Sequence, residues 1–203
     1  MNQPANGIIA IPDTLAVGAL LDNGDRLAGR IRIGAEVYAT LLPPLAVRAH
    51  PVAVWNNNMD RVPGALSFCD GYSNTVAMAK AGSSLAQYAL DHGLYIPSRD
   101  ELDPIYRTFK PGAETYDQWR SGDNPSSIPP GYPYTDASPA QTELAEFRTG
   151  GAEALPEGWI WTSTQFAHFD AYAWAQHFGY GGQDFNHKSI VLEVVLVRRL
   201  LIR

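Results

Sequence analysis

The residue types able to do acid–base or ligand chemistry gather near one end of the chain, in WIWTSTQFAHFDAYAWAQHFGYGGQDFNH, residues 159–187. His168 with Asp170, or His187 with Asp184, has the makings of a general acid–base pair, an imidazole exchanging a proton beside a carboxylate that orients it. Such neighbours also arise by chance in loop-rich stretches, so hydrogen-bonded turn residues are the expectation. His168, His177 and His187 are nine and ten residues apart, which is not a zinc-ligand spacing. WNNNMD at residues 55–60 offers the oxygen donors of a calcium loop but only one carboxylate, and reads as a turn. The single Cys69 excludes an internal disulfide and a CxxC site, and reads as a buried structural thiol. There is no phosphate-binding glycine loop, GxSxG elbow or HExxH motif. The expectation is a protein without enzymatic activity, metal or cofactor.

What stands out instead is aromatic density, because these 29 residues hold nine of the 22 aromatic residues and three of the five histidines. In a strand, alternate residues share a face, which puts Trp174, Gln176 and Phe178 together and Ala175 and His177 opposite them. Trp174 and Phe178 are therefore expected in the core, along with at least one of Trp159 and Trp161. Phe166, His168, Phe169, Tyr172, Tyr180, Phe185, Asn186 and His187 flank the strands. Large, stiff, amphipathic side chains on loops lose little rotamer freedom on binding and supply the contact area of recognition hot spots. They are the candidate ligand-binding set.

Elements able to carry such a set can be read along the chain. In AGRIRIGAEVYATLL, aliphatic and arginine residues alternate up to Gly34, predicting a hairpin that Pro43 and Pro44 end. Ala65, Cys69, Tyr72, Val76 and Ala79 fall on one helical stripe, predicting a helix that starts at Pro63 and stops at Gly82. SLAQYALDHG predicts a second helix, and Ser98 with Glu101 forms a capping-box pattern for a third. Pro104 complicates the third, requiring either a kink or a late start with Asp103 as cap. The proline-rich stretch 111–139 reads as a functional or packed irregular loop, followed by a short helix over 139–149. WIWTSTQ, YAWAQHF and SIVLEVVLVRRLLI read as three strands. With 203 residues and a net charge of −6, the chain can build a sizeable core and lacks the clustered basic surface that nucleic acid requires. Arg198, Arg199 and Arg203 are expected as a solvated terminus or an ion-pair set. No stretch approaches the roughly 18 apolar residues of a membrane span, and MNQPANGIIAIP lacks the features of a secretion signal, so synthesis in the cytoplasm without membrane insertion is expected.

The ordered series PGALSFCDGYSNTVAMAKAGSSLAQYAL, YIPSRDELDPIYRTFKP, RSGDNPSSIPPGYPYTDASPAQT, FRTGGAEAL, WIWTSTQ, AYAWAQHFGYGGQ and VRRL resembles the Lcl C-terminal domain family, in the form found in tailed phages and prophages. The similarity runs from about Arg61 to Leu200. It implies an α+β chain: a C-type-lectin-like ligand-binding domain over residues 51–203, preceded by a β-rich attachment segment over 1–50. The implied ligand face lies on the loops Phe166–Tyr172 and Tyr180–His187, which adds Gln183 and Asp184 to the set above. The fold is shared with formylglycine-generating oxidases, whose catalytic cysteine pair has no counterpart here. Two departures are a final strand short of basic residues, as for a strand buried against another chain, and Pro104. The implied function is a receptor-binding protein of a phage tail tip, contacting a bacterial surface receptor (pilus or polysaccharide) through its aromatic loops. A structural tail-tip or fibre connector that docks other phage tail proteins is the alternative. Either form would reside in the virion, made in the host cytoplasm, as a homo-oligomer for which tail symmetry suggests a trimer.

Overall fold

The alternation of arginine and aliphatic residues forms β1 (Arg26–Ile33), which turns at Gly34 (φ 61°) into β2 (Glu36–Leu42). The computed structural model describes residues 11, 12, 14–49, 52–114 and 122–202. Strand β2 pairs antiparallel with β8 (Arg198–Ile202), in register from Val37↔Ile202 to Leu41↔Arg198. Residues 26–42 therefore share a sheet with the end of the chain, across the boundary drawn at residue 50. Charges reinforce that join. Arg198 pairs with the buried Asp25 at 3.1 Å, and Arg199 reaches Asp70 at 2.7 Å while lying over the rings of Tyr38 and Tyr72. The expected ion-pair set is thus present for these two arginines, and Arg203 lies outside the described residues.

Three helices of eight or more residues follow the four-residue α1 (Leu45–Arg48): α2 (Gly71–Lys80), α3 (Ser84–Asp91) and α4 (Arg99–Phe109). Helix α2 does not begin at Pro63. Residues 62–65 form a turn with Gly64 at φ 93°, and Asp70 caps the helix by accepting from Ser73 N at 3.0 Å, so Cys69 precedes it. Cys69 is half-buried, and burial raises its thiol pKa. Helix α4 begins at the capping box of Ser98 and Glu101 and runs through Pro104. Proline leaves one helical carbonyl without its N–H partner. Here that carbonyl, of Asp100, accepts from Asn124 Nδ2 at 2.8 Å. The helix therefore starts at the Ser98 cap rather than late at Asp103, and the carbonyl that Pro104 frees becomes an anchor for the loop. Pro104 also meets the hairpin: a Cβ at Gly29 would lie 2.7 Å from its Cβ.

Residues 122–139 form the packed irregular loop. Tyr134 is buried with its hydroxyl on Asp103, Arg107 donates to Gly122 O and Tyr132 O, and Ser126 O and Ile128 N bond the outer edge of β1. That cover protects an otherwise open strand edge. The helix expected over 139–149 reduces to a 3₁₀ turn, Ala145–Phe147, because Thr142 N and the Gln141 side chain are drawn to the carbonyls of Lys110 and Pro111.

The last sheet is β4 (Trp159–Gln165), β5 (Tyr172–His177) and β6 (Gln183–His187), all antiparallel. The run expected as one final strand changes partners along its length. Val191–Leu192 (β7) pairs with Ala53–Val54 (β3), Glu193 bonds the backbone of Trp159 and Trp161, Val195 meets Ala49, Val197 meets Tyr95, and β8 then joins the hairpin. Val194 to Val197 are buried within this chain. They join one core around α4 (Leu102, Ile105, Tyr106, Phe109 and Phe178) to a second around Trp55, Met78, Leu85 and Trp161. The architecture is mixed α+β, with four helices and three small antiparallel sheets among the described residues.

Gly71 opens α2 against the start of α4. A Cβ there would lie 2.3 Å from Glu101 Oε2, 2.5 Å from Ser98 N and 2.7 Å from Ile96 O. Two of these atoms are backbone and cannot yield, so Gly71→Ala is expected to cost about 3 kcal/mol or more in urea denaturation. A midpoint equal to wild type would show that the helices are not in close contact there.

Candidate ligand-binding face

Cross-strand register decides which side chains meet. On β5 and β6 the pairs are Tyr172↔His187, Trp174↔Phe185 and Gln176↔Gln183, which share one face, and Ala173↔Asn186 and Ala175↔Asp184, which share the other. Ala173 and Ala175 are buried in the second core, so the aromatic pairs face outward. Phe166 continues β4 by donating its N–H to Tyr172 O at 2.9 Å.

The rings on this outer face touch one another. Phe166 stacks on Phe185 with centroids 4.1 Å apart and planes 15° from parallel, and sits 5.5 Å from Trp174, 5.4 Å from His168 and 5.9 Å from Phe169. Tyr172 meets Phe185, His187 and Phe169 edge to face at 5.7, 5.3 and 6.0 Å. Phe68, from the segment before α2, extends the platform by an edge contact of 6.1 Å with Trp174. Phe169 is 57% exposed, Phe68 44% and Phe185 36%. Apolar side chains exposed together in this way commonly mark contact surfaces.

The structure redistributes the expected set. Phe166, His168, Phe169, Tyr172, Phe185 and His187 come together. Tyr180 does not: it stacks on His177 at 4.0 Å beside Trp159, away from the platform. Asp184 and Asn186 lie on the opposite face of β6, and Gln183 is at the end beside the buried Gln176, which bonds Tyr134. Residues 183–187 were expected as loop, and they form a strand because aromatic cross-strand pairing substitutes for aliphatic alternation. Trp174, expected in the core, is half-buried at the centre of the platform, whereas Phe178 and Trp161 are buried and Trp159 is half-buried. Phe68 and Arg99 carried no sequence signal, since their approach depends on tertiary packing.

The proposed acid–base pairs do not form. Asp170 pairs with Arg61 at 3.3 Å, Nδ1 of His187 bonds Ser189 Oγ at 2.7 Å, and Asp184 and His187 project to opposite sides of β6. Among the described residues no group of three or more His, Cys, Asp or Glu side chains could hold a metal ion, and no helix is long and apolar enough to cross a membrane. The oxygens of Asn56 and Asn58 accept from the backbone of residues two further on, as Asx turns do, rather than facing a shared centre.

Two cations hold the platform, Lys188 buried and Arg99 half-buried. Lys188 is fully buried; its ammonium donates to Asp60 O at 2.8 Å and Gln165 Oε1 at 2.9 Å and lies 4.7 Å from the Trp55 ring centre. Burial lowers its pKa to about 8. Its backbone N–H bonds Ala171 O, so one residue ties the 55–62 loop to the ends of β4 and β5. Arg99, the first residue of α4, donates its N–H to Thr164 Oγ1 and places its guanidinium 5.2 and 5.0 Å from the ring centres of Phe68 and Trp174. Its carboxylate contact is Asp100 at 3.5 Å, and its Nε is buried without a partner.

Comparisons with known protein families, curated proteins and solved structures give no match to this chain.

Burial pushes the Asp100 carboxyl up to about 6, against the opposing pull of Ser126 Oγ and Arg99. The folded state then holds this proton more tightly than the unfolded chain. The resulting stability is fully present below about pH 4 and is lost as pH rises through about 6, a difference of about 3 kcal/mol. Denaturation of wild type and Asp100→Asn from pH 4 to 7 is expected to show the wild type losing ground by that amount. A difference independent of pH would mean that Asp100 ionises normally.

Proposed function

We propose that this chain is a receptor-binding protein of a phage tail tip, a C-type-lectin-like domain that contacts a bacterial surface receptor through the aromatic platform. The observation that carries the reading is the cluster of exposed, mutually stacked rings centred on Phe166 and Phe185. Each ring is held by its neighbours and by the strands beneath, so little side-chain freedom remains to be lost on binding. The ordered motif resemblance supplies the biological setting. For a tail connector the favouring feature in the sequence is the apolar final run, and Val194 to Val197 spend that apolarity inside this chain's own core. Contact with the host is therefore the reading taken.

Fluorescently labelled protein is expected to bind intact host cells saturably. The Tyr172→Ala, Phe185→Ala, His187→Ala variant, folded by circular dichroism, is expected to bind at least 100-fold more weakly, since a single hot-spot residue of about 2 kcal/mol is already worth about 30-fold. Wild-type protein that neither binds the cells nor blocks phage adsorption would defeat the receptor role.

A further inference from the structure

The platform's chemistry narrows what it can hold. A sugar stacks on aromatic faces but also needs its hydroxyls met by polar side chains around the ring. On β6 the amide and carboxylate that would suit hydroxyls, Asn186 and Asp184, lie on the face away from the rings. The exposed phenylalanines of the platform, Phe169, Phe68 and Phe185, have no polar tip at all, and Asp170 beside them is held by Arg61. What lies against its rings is a cation. Arg99 lies over two of its rings, retains 18% side-chain exposure, and has one weak carboxylate contact, to Asp100 at 3.5 Å. That partner is also engaged by Ser126 Oγ at 2.7 Å. A partly desolvated guanidinium on aromatic faces, with donors to spare, is a site for a carboxylate.

We propose that the platform takes a protein ligand, a surface segment that sets apolar side chains on the rings and an Asp or Glu carboxylate on Arg99. This rests on the receptor reading and specifies the receptor as protein rather than polysaccharide. Aromatic rings with an arginine at their margin have the composition of protein–protein hot spots. The charge at the edge gives the ligand its orientation.

The test uses labelled full-length protein on host cells left untreated, shaved with protease, or oxidised with periodate. Binding is expected to vanish after protease and survive periodate. Arg99→Gln, folded by circular dichroism, is expected to bind about tenfold more weakly and with a flatter dependence on salt, the worth of one charged hydrogen-bonding contact. Arg99→Lys is expected to recover part of that salt dependence, which a merely structural role would not restore. Binding that survives protease and is lost with periodate would overturn the proposal while leaving the receptor reading in place, and so would an Arg99→Gln affinity and salt profile equal to wild type. Self-association of the purified protein that is abolished by Arg99→Gln would also overturn it, because the face would then belong to a second copy. Absence of any wild-type binding to untreated cells is the separate outcome that removes the receptor reading, and this proposal with it.

Discussion

The structure turns on one buried carboxylate. Glu101 is fully buried, accepts from Ser98 N at 2.8 Å, Gly71 N at 2.9 Å and Tyr95 hydroxyl at 2.8 Å, and so joins the start of α4, the start of α2 and the segment that bridges to Val197. Burial raises its pKa, and these donors oppose part of that rise. Such a group is costly unless each lone pair is engaged, which makes it a strict specifier of geometry. Two backbone amides that would otherwise be orphaned at helix starts are used here, so one charge solves two capping problems. The same junction fixes where Arg99 emerges, because Arg99 lies between Ser98 and the first turn that Glu101 closes.

From that junction the aromatic face is assembled by cations rather than by apolar packing alone. Arg99 N–H on Thr164 sets α4 beside β4, and Lys188 sets the 55–62 loop beneath the ends of the strands. Gln165 serves both parts, since its Oε1 accepts from Val62 N at 2.7 Å as well as from Lys188. An internal ammonium does here the tying that a bound cation does in other loop-rich folds. Its cost is desolvation, visible in the lowered pKa.

Much of this was legible in the sequence, and the failures have physical causes. The hairpin, α3, the Ser98 cap and strands β4 and β5 follow from local rules of alternation and capping, which tertiary packing did not override. The start of α2 was misplaced because an apolar stripe continues back to Ala65, while the stop signal is the Asp70 cap, whose strength depends on Arg199 from the far end of the chain. Pro104 could not be resolved locally because its compensation, Asn124, is twenty residues away. The final apolar run looked like one strand because periodicity reports burial and not partner, and here the partner changes nearly every residue.

The platform itself inverts the usual size rule for a half-buried strand. On β5 the buried face carries Ala173 and Ala175, and the outer face carries Tyr172 and Trp174. Reading hydrophobicity alone puts Trp174 inside. Volume explains the reverse: the space beneath the sheet is already filled by Trp55, Trp161 and Met78 from other segments, so only small side chains fit under β5. Phe178, one residue beyond β5, has no such competition and enters the first core instead. Large rings are therefore present on the outer face without being needed by the core. The core is closed from below by residues distant in sequence, so the outer rings rest on a sheet whose packing does not depend on them.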